Sequence, residues 1–196
     1  GGGHGTAGSI GYGLYCASYA WWGCATFGLY GVTNGGSDYG AADLTAWHLG
    51  SGGGAGAPDS GGDGSDSRNV SGSGGAGGGI IAIYSGTSIT ISGQVDADGE
   101  PGEDGDTYGG EVGAGGGGAG GTILLAAPIL ELFGDVEARG KDGGVGEAYN
   151  YQQSYRTTDC GLGGDGGEGR IRLEYTTLSG LANVDPAPGS TGAYTP

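Results

Sequence analysis

Clusters of glycine stand directly in front of short aliphatic runs, and this alternation restricts the chain more than any other feature. Gly75-Ala76-Gly77-Gly78-Gly79 leads into Ile80 to Tyr84, and Gly118-Ala119-Gly120-Gly121 leads into Thr122 to Leu125. Glycine fills 55 of the 196 positions, and each loses more backbone freedom on folding than any other residue, by ~0.5–1 kcal/mol relative to alanine. An ordered chain of this kind therefore needs a use for bare backbone. A solvated linker needs none, but it also lacks aliphatic strands. Collagen demands glycine at strictly every third residue, whereas these clusters are irregular and only six prolines are present. Methionine is absent and 14% of residues are charged, too few of the usual helix formers to build helical layers. The expected class is all-β with almost no helix.

The aliphatic runs repeat. After the first cluster come Ser88 to Ser92, Gly93, Gln94 to Ala97 and a Gly/Asp-rich turn from Asp98; after the second come Ile129 to Phe133, Gly134, Asp135 to Ala138 and a turn at Gly140. Gly93 and Gly134 are 41 residues apart. A third copy runs from Gly166 through Arg170 to Tyr175, Thr177 to Gly180 and Leu181 to Val184, ending in the Pro-rich Asp185 to Pro188. Within the copies Ile89, Ile91, Val95 and Ala97 fall on one face, as do Leu130, Leu132, Val136 and Ala138, the period of a half-buried strand. Ile171, Leu173 and Tyr175 alternate in the same way with outward-facing Arg170, Arg172 and Glu174.

One copy has too few aliphatics to enclose a core and needs neighbours of its own shape, which is the logic of a solenoid. The expected architecture is an elongated, glycine-rich, parallel β-solenoid-like stack. Gly93 and Gly134 mark a corner or bulge where a side chain would obstruct the next coil. The glycine clusters are read as polyproline-II or polyglycine segments packed side by side, their N–H groups bonding to neighbouring carbonyls. Three repeats are expected at about 72–113, 114–160 and 161–190, after a less regular section 1–71 and before a tail 191–196, in one continuous domain.

Two stretches interrupt this order. Residues 1–60 hold Trp21, Trp22 and Trp47, and 148–160 hold Tyr149, Tyr151 and Tyr155. Insertions in repeat stacks gather on one face, so these aromatics are expected either to cap an open end or to make contacts. The formal charge of −16, from 22 acidic and 6 basic residues, excludes nucleic acid as a partner and offers no basic face to a lipid surface. No apolar run is long enough to cross a bilayer. Cys16 and Cys24 are spaced to close a short disulfide loop in an oxidising compartment, leaving Cys160 free or paired with another chain. Asn69-Val70-Ser71 fits the N-glycosylation pattern and agrees with secretion.

Glycine clusters, strands such as Gly169-Arg170-Ile171-Arg172-Leu173-Glu174-Tyr175, and Asp/Gly turns together resemble the glycine-rich repeats of very large secreted surface proteins of bacteria and protists. Mastigoneme-type filament proteins of flagellated algae are similar in this respect. The resemblance covers 72–190 and implies an extracellular structural or adhesive role with no catalytic residues. A second likeness is to phage tail-fibre adhesins, which set aromatic segments on a lattice of polyglycine helices; the long aliphatic strands here depart from that pattern.

The densest polar stretch runs from Asp96 to Asp106, and its carboxylates Asp96, Asp98, Glu100, Asp104 and Asp106 are the candidate ligands for calcium, which takes six to eight hard oxygens. The alternative is a solvated acidic turn. Gly72-Ser73-Gly74-Gly75-Ala76-Gly77 matches a dinucleotide fingerprint but opens a strand instead of a helix, so it carries no weight. The expected function is a non-catalytic structural subunit or domain of an extracellular filament, appendage or surface layer. Its partners are copies of itself or neighbouring domains of a larger chain. The alternatives are an adhesin module stacking Trp and Tyr on glycans or a receptor, and a polysaccharide-active β-solenoid enzyme. No cofactor is required beyond the possible calcium.

Overall fold

A computed structural model describes residues 1–16, 27–57, 70–106, 110–150, 155–180 and 183–195. Among them are fifteen strands and no α-helix. In chain order these are β1 (Gly11–Cys16), β2 (Phe27–Thr33), β3 (Ile80–Tyr84), β4 (Ser88–Ile91), β5 (Gln94–Asp96), β6 (Gly110–Val112), β7 (Thr122–Ala126), β8 (Ile129–Leu132), β9 (Asp135–Glu137), β10 (Val145–Asn150), β11 (Tyr155–Leu162), β12 (Arg170–Tyr175), β13 (Thr177–Ser179), β14 (Val184–Asp185) and β15 (Ser190–Ala193).

Three successive triplets of strands lie in parallel register, forming tiers. β7 pairs with β3 on one side and β12 on the other, β8 with β4 and β13, and β9 with β5 and β14. Like therefore sits beside like: Ile81 by Ile123 by Ile171, Ile83 by Leu125 by Leu173, Ile89 by Leu130 by Leu178, and Val95 by Val136 by Val184. These columns make one core in which Ile123, Leu125, Leu130, Val136, Ile171 and Leu173 are wholly buried. Each large aliphatic buried this way contributes ~1.5–3 kcal/mol. The middle tier, covered on both sides, holds most of the fully buried residues. Ser190–Ala193 adds to the edge of β12, so the segment expected as a tail begins within a strand.

Bare backbone has its own layer. Segment 113–121 runs through the middle of a ring of six others: 50–57, 71–79, 97–105, 138–144, 163–169 and 1–8. Its hydrogen bonds recur every third residue, the period of an extended backbone with three residues per turn. Gly113, Gly116 and Ala119 donate to Ala57, Gly54 and Ser51; Gly115, Gly118 and Gly121 donate to Glu103, Glu100 and Ala97; Gly117 and Gly120 donate to Gly164 and Gly167, all at 2.8–3.0 Å. Its carbonyls accept in the same rhythm, from Gly72, Gly75 and Gly78, from Gly144 and Lys141, and from Gly2. Neighbours that take an N–H alternate around the ring with neighbours that give one. Every residue from 114 to 127 is buried, and from 115 to 121 every backbone N–H and carbonyl has a partner.

Glycine is required by this closeness. A Cβ on Gly118 would lie 1.9 Å from the Ala76 carbonyl oxygen, and one on Gly117 would lie 1.8 Å from that of Lys141. The corner glycine Gly134 behaves likewise, its Cβ falling 1.9 Å from the Gly93 oxygen of the tier before it.

The section 1–71 is integrated with the repeats. Its glycine runs complete the ring, and residues 38–49 cover the outer face of β7, where Thr122, Leu124 and Ala126 are all buried. Thr122 Oγ1 donates to the His48 carbonyl at 2.8 Å, Arg170 Nη2 to the carbonyls of Tyr39 and Gly40 at 3.1 and 3.0 Å, and Arg172 Nη1 to that of Asp43. The arginines expected to face solvent therefore hold the covering segment down, because its carbonyls have no strand partner. Leu44, buried at 4% exposure, anchors the segment and adopts the left-handed region at φ 51°.

Candidate functional site

The stretches interrupting the repeat meet in one place. β1 and β2 form a hairpin, β10 and β11 form another, and the two join through β1 and β11, with β6 completing the order β2-β1-β11-β10-β6. This five-stranded antiparallel sheet grows from three separate points of the glycine ring: after 1–9, before 113 and after 144. Tyr149 lies in β10 opposite Arg156 and Gly110, and Tyr155 opens β11 opposite Asn150. Cys16 ends β1 opposite Phe27, and Cys160 lies in β11, the strand beside β1. Trp21, Trp22, Cys24, Asn69 and Tyr151 lie outside the described residues. Trp47 belongs to the covering segment and is 45% exposed.

The acidic stretch is woven into the ring and tiers. Asp98 accepts from the Arg139 N–H at 2.6 Å and pairs with Lys141 Nζ. Asp96 Oδ1 accepts from the Asp98 N–H at 2.7 Å, and Asp104 Oδ1 accepts from that of Val145 at 2.7 Å. Glu100 donates its N–H to the Ala76 carbonyl, and Asp106 exchanges backbone bonds with Val70. Among the described residues no group of three or more His, Cys, Asp or Glu is placed to hold a metal ion, so the five candidate calcium ligands are not brought together as a cage.

An open cleft of about 330 Å³ is lined by Asp135, Glu137, Arg139, Asn183, Val184 and Asp185. Arg139 Nε lies 2.8 Å from Asp185 Oδ2, and its Nη2 contacts Glu137, which also accepts from Gln94 at 3.1 Å. Two of the cleft's carboxylates are thus already engaged by cation and amide. Nearby, burial pushes the Glu168 carboxyl above the ordinary glutamate range, with the charge of Asp185 adding to the effect.

A buried histidine was not anticipated from sequence. His4 is wholly enclosed, Nδ1 lies 3.0 Å from the Gly120 carbonyl, and Nε2 has no hydrogen-bond partner. The carbonyl accepts, so Nδ1 carries a proton, and a buried Nε2 with no acceptor beside it favours the neutral ring. Its centroid lies 5.0 Å from that of Tyr39 and 6.4 Å from that of His48, and Tyr39 stands edge-on to His48 at 5.5 Å. Burial holds the His4 pKa below its ordinary value; the Gly120 carbonyl opposes this, and the charges of Arg170 and His48 add to the lowering. His4 replaces a backbone donor where the 1–8 segment meets the centre of the ring. The only sequence signal is a histidine inside a glycine run.

Among the described residues, no strand pairs with the outer edge of β3, β4 or β5. β3, β4 and β5 are each the last strand of a parallel sheet, and Ile81, Ile83, Ile91 and Val95 are only partly buried there. Ile80 and Tyr84 are exposed on the outer face of the same edge. Among the described residues no helix is long and apolar enough to cross a membrane. Comparison with known proteins gives no match to this chain, whether among protein-family models, curated proteins or solved structures.

Proposed function

We propose that this chain is a non-catalytic structural segment of an extracellular filament, appendage or surface layer, and that it associates with copies of itself. In this reading the parallel tiers are a short β-solenoid, and the ring of glycine segments is a polyglycine bundle that braces it from one side. The observation that carries the proposal is the open edge of β3, β4 and β5, which leaves a row of backbone donors and acceptors ready to pair. Cys16 and Cys24 closing a loop, a glycan on Asn69 and a thiol on Cys160 available to another chain all suit the same compartment. Negative-stain imaging of the purified protein at high concentration, with and without calcium, tests it. Regular assemblies are expected. Monodisperse single particles under both conditions would overturn it.

A second reading has its own support in the joint antiparallel sheet. Insertions from three places in the chain converge on it, as a surface displayed by a rigid base would require. In this adhesin reading Tyr149, Tyr155, Trp47 and the remaining aromatics stack on glycan rings or a protein receptor. A glycan array distinguishes the two readings. Binding that is lost in Tyr149→Ala, a substitution in β10 of that sheet, with the melting temperature unchanged, would favour the adhesin.

A further inference from the structure

We infer that the edge formed by β3, β4 and β5 is built to receive another tier of strands from a second copy of this chain. The inference rests on the self-association proposed above and specifies what that edge receives and which positions make room for it. Register makes Gly79 equivalent to Gly121, and Gly93 equivalent to Gly134. In the covered tier these glycines are obligatory, since a Cβ on Gly121 would lie 1.9 Å from the Gly79 oxygen and one on Gly134 would lie 1.9 Å from the Gly93 oxygen. The missing side chain in each case makes room for the tier before it. On the open tier the same positions are still glycine, yet a Cβ at Gly79 or Gly93 would meet nothing within 4 Å. Within a single copy nothing requires glycine at either place, and its backbone freedom is a cost. Backbone laid against that edge supplies the requirement.

The rest of the edge agrees. β3 (IIAIY) and β4 (SITI) carry no charge, no proline and no register break, and β5 (QVD) carries a single charge, Asp96, so most of the devices that normally keep a sheet edge from pairing are missing. Ile81, Ile83, Ile91 and Val95 continue the interior columns and stay partly open where those columns stop. An occupant must bring strand backbone to three sheets at once, place carbonyls over Gly79 and Gly93, and present aliphatic side chains at the column positions. A single extended peptide covers one of the three sheets. The opposite end of a second copy, where β15, β13 and β14 are the last strands, brings strand backbone to all three.

The test uses the full chain. In Gly79→Ala/Gly93→Ala each methyl enters open space in the single copy but blocks the incoming tier; Gly86→Ala, also with nothing within 4 Å, lies in the β3–β4 turn and serves as control. Sedimentation velocity across a concentration series is expected to show self-association of the wild type and of Gly86→Ala. The double variant should associate at least tenfold more weakly while melting at the wild-type temperature. Wild-type association by the double variant would overturn the edge assignment and leave the structural reading standing. A large fall in its melting temperature would also overturn the assignment, because the two sites would then not be open. A wild type that stays monomeric at every concentration would remove the self-association reading itself.

Discussion

Replacing Gly118 by alanine isolates the principle that holds the glycine ring together. The new Cβ would lie 1.9 Å from the Ala76 oxygen, and real Cβ contacts essentially never fall below 3.0 Å. Segment 71–79 must therefore move away from 113–121 by roughly 1 Å, the scale on which a close-packed interior loses its contacts. The flanking bonds, Gly75 N–H to Gly116 at 2.9 Å and Gly78 N–H to Ala119 at 2.8 Å, stretch with it beyond useful length. Two buried backbone hydrogen bonds lost at ~1–3 kcal/mol each, and overpacking at ~1–3 kcal/mol, are offset only slightly by ~0.4–1 kcal/mol from stiffening the unfolded chain. The net loss is about 2–9 kcal/mol, against a whole-domain stability of about 5–15 kcal/mol. Gly54→Ala makes the same chemical change in a neighbouring segment where nothing lies within 4 Å of the new methyl, so it should be neutral or slightly stabilising. Gly116→Ala, with its nearest neighbours at 3.2 and 3.3 Å, should fall between them. Urea unfolding by linear extrapolation measures all three. Equal stabilities for Gly118→Ala and Gly54→Ala would refute the idea that a bare Cα is what permits this packing.

Three further outcomes are expected. Leu130→Ala empties the middle of the Ile89–Leu130–Leu178 column, where Leu130 is wholly buried, and should cost ~2–5 kcal/mol in the same urea assay. His4 has a lowered folded pKa, so the unfolded chain binds its proton more readily; the stabilising effect of the neutral ring is complete above the ordinary histidine value of about 6.5 and declines as pH falls below it towards the folded value. Melting curves from pH 7.5 down to about 5 should show a steeper decline for wild type than for His4→Gln, and parallel curves would count against the burial argument. Millimolar calcium should leave the melting temperature unchanged, because Asp96, Asp98 and Asp104 already accept protein donors; a clear rise would reinstate the acidic stretch as a cation site.

The strands and their partners were legible because the relevant signals are local. Alternation along Ser88–Ile91 and Ile129–Leu132 puts Ile89 and Leu130 on one face, and the 41-residue step between Thr90 and Glu131 marks them as neighbours. Their contact at 2.8 Å is the outward face of that same register. The covering segment was harder to see. Thr122–Ala126 is apolar on both faces, the pattern of a strand buried on both sides, but nothing local says that 38–49 is what covers it. The candidate site divides in the same way. Tyr149 and Tyr155 could be named from composition, whereas the meeting of β1 with β11 depends on where the glycine ring places chain segments far apart in sequence. His4 was invisible because its role comes from Gly120, 116 residues away.

The amino-acid order alone determined that this chain is β-structured, that its aliphatic strands need copies of themselves as neighbours, and that its glycines must serve close backbone contact; each follows from side-chain period and the size of one residue. Only the tertiary structure decided which six segments surround 113–121, which glycines are obligatory and which have open space, and which tier is left uncovered. Those depend on distances between carbonyl oxygens and Cα atoms in different segments, and such distances exist only once the segments have been brought side by side.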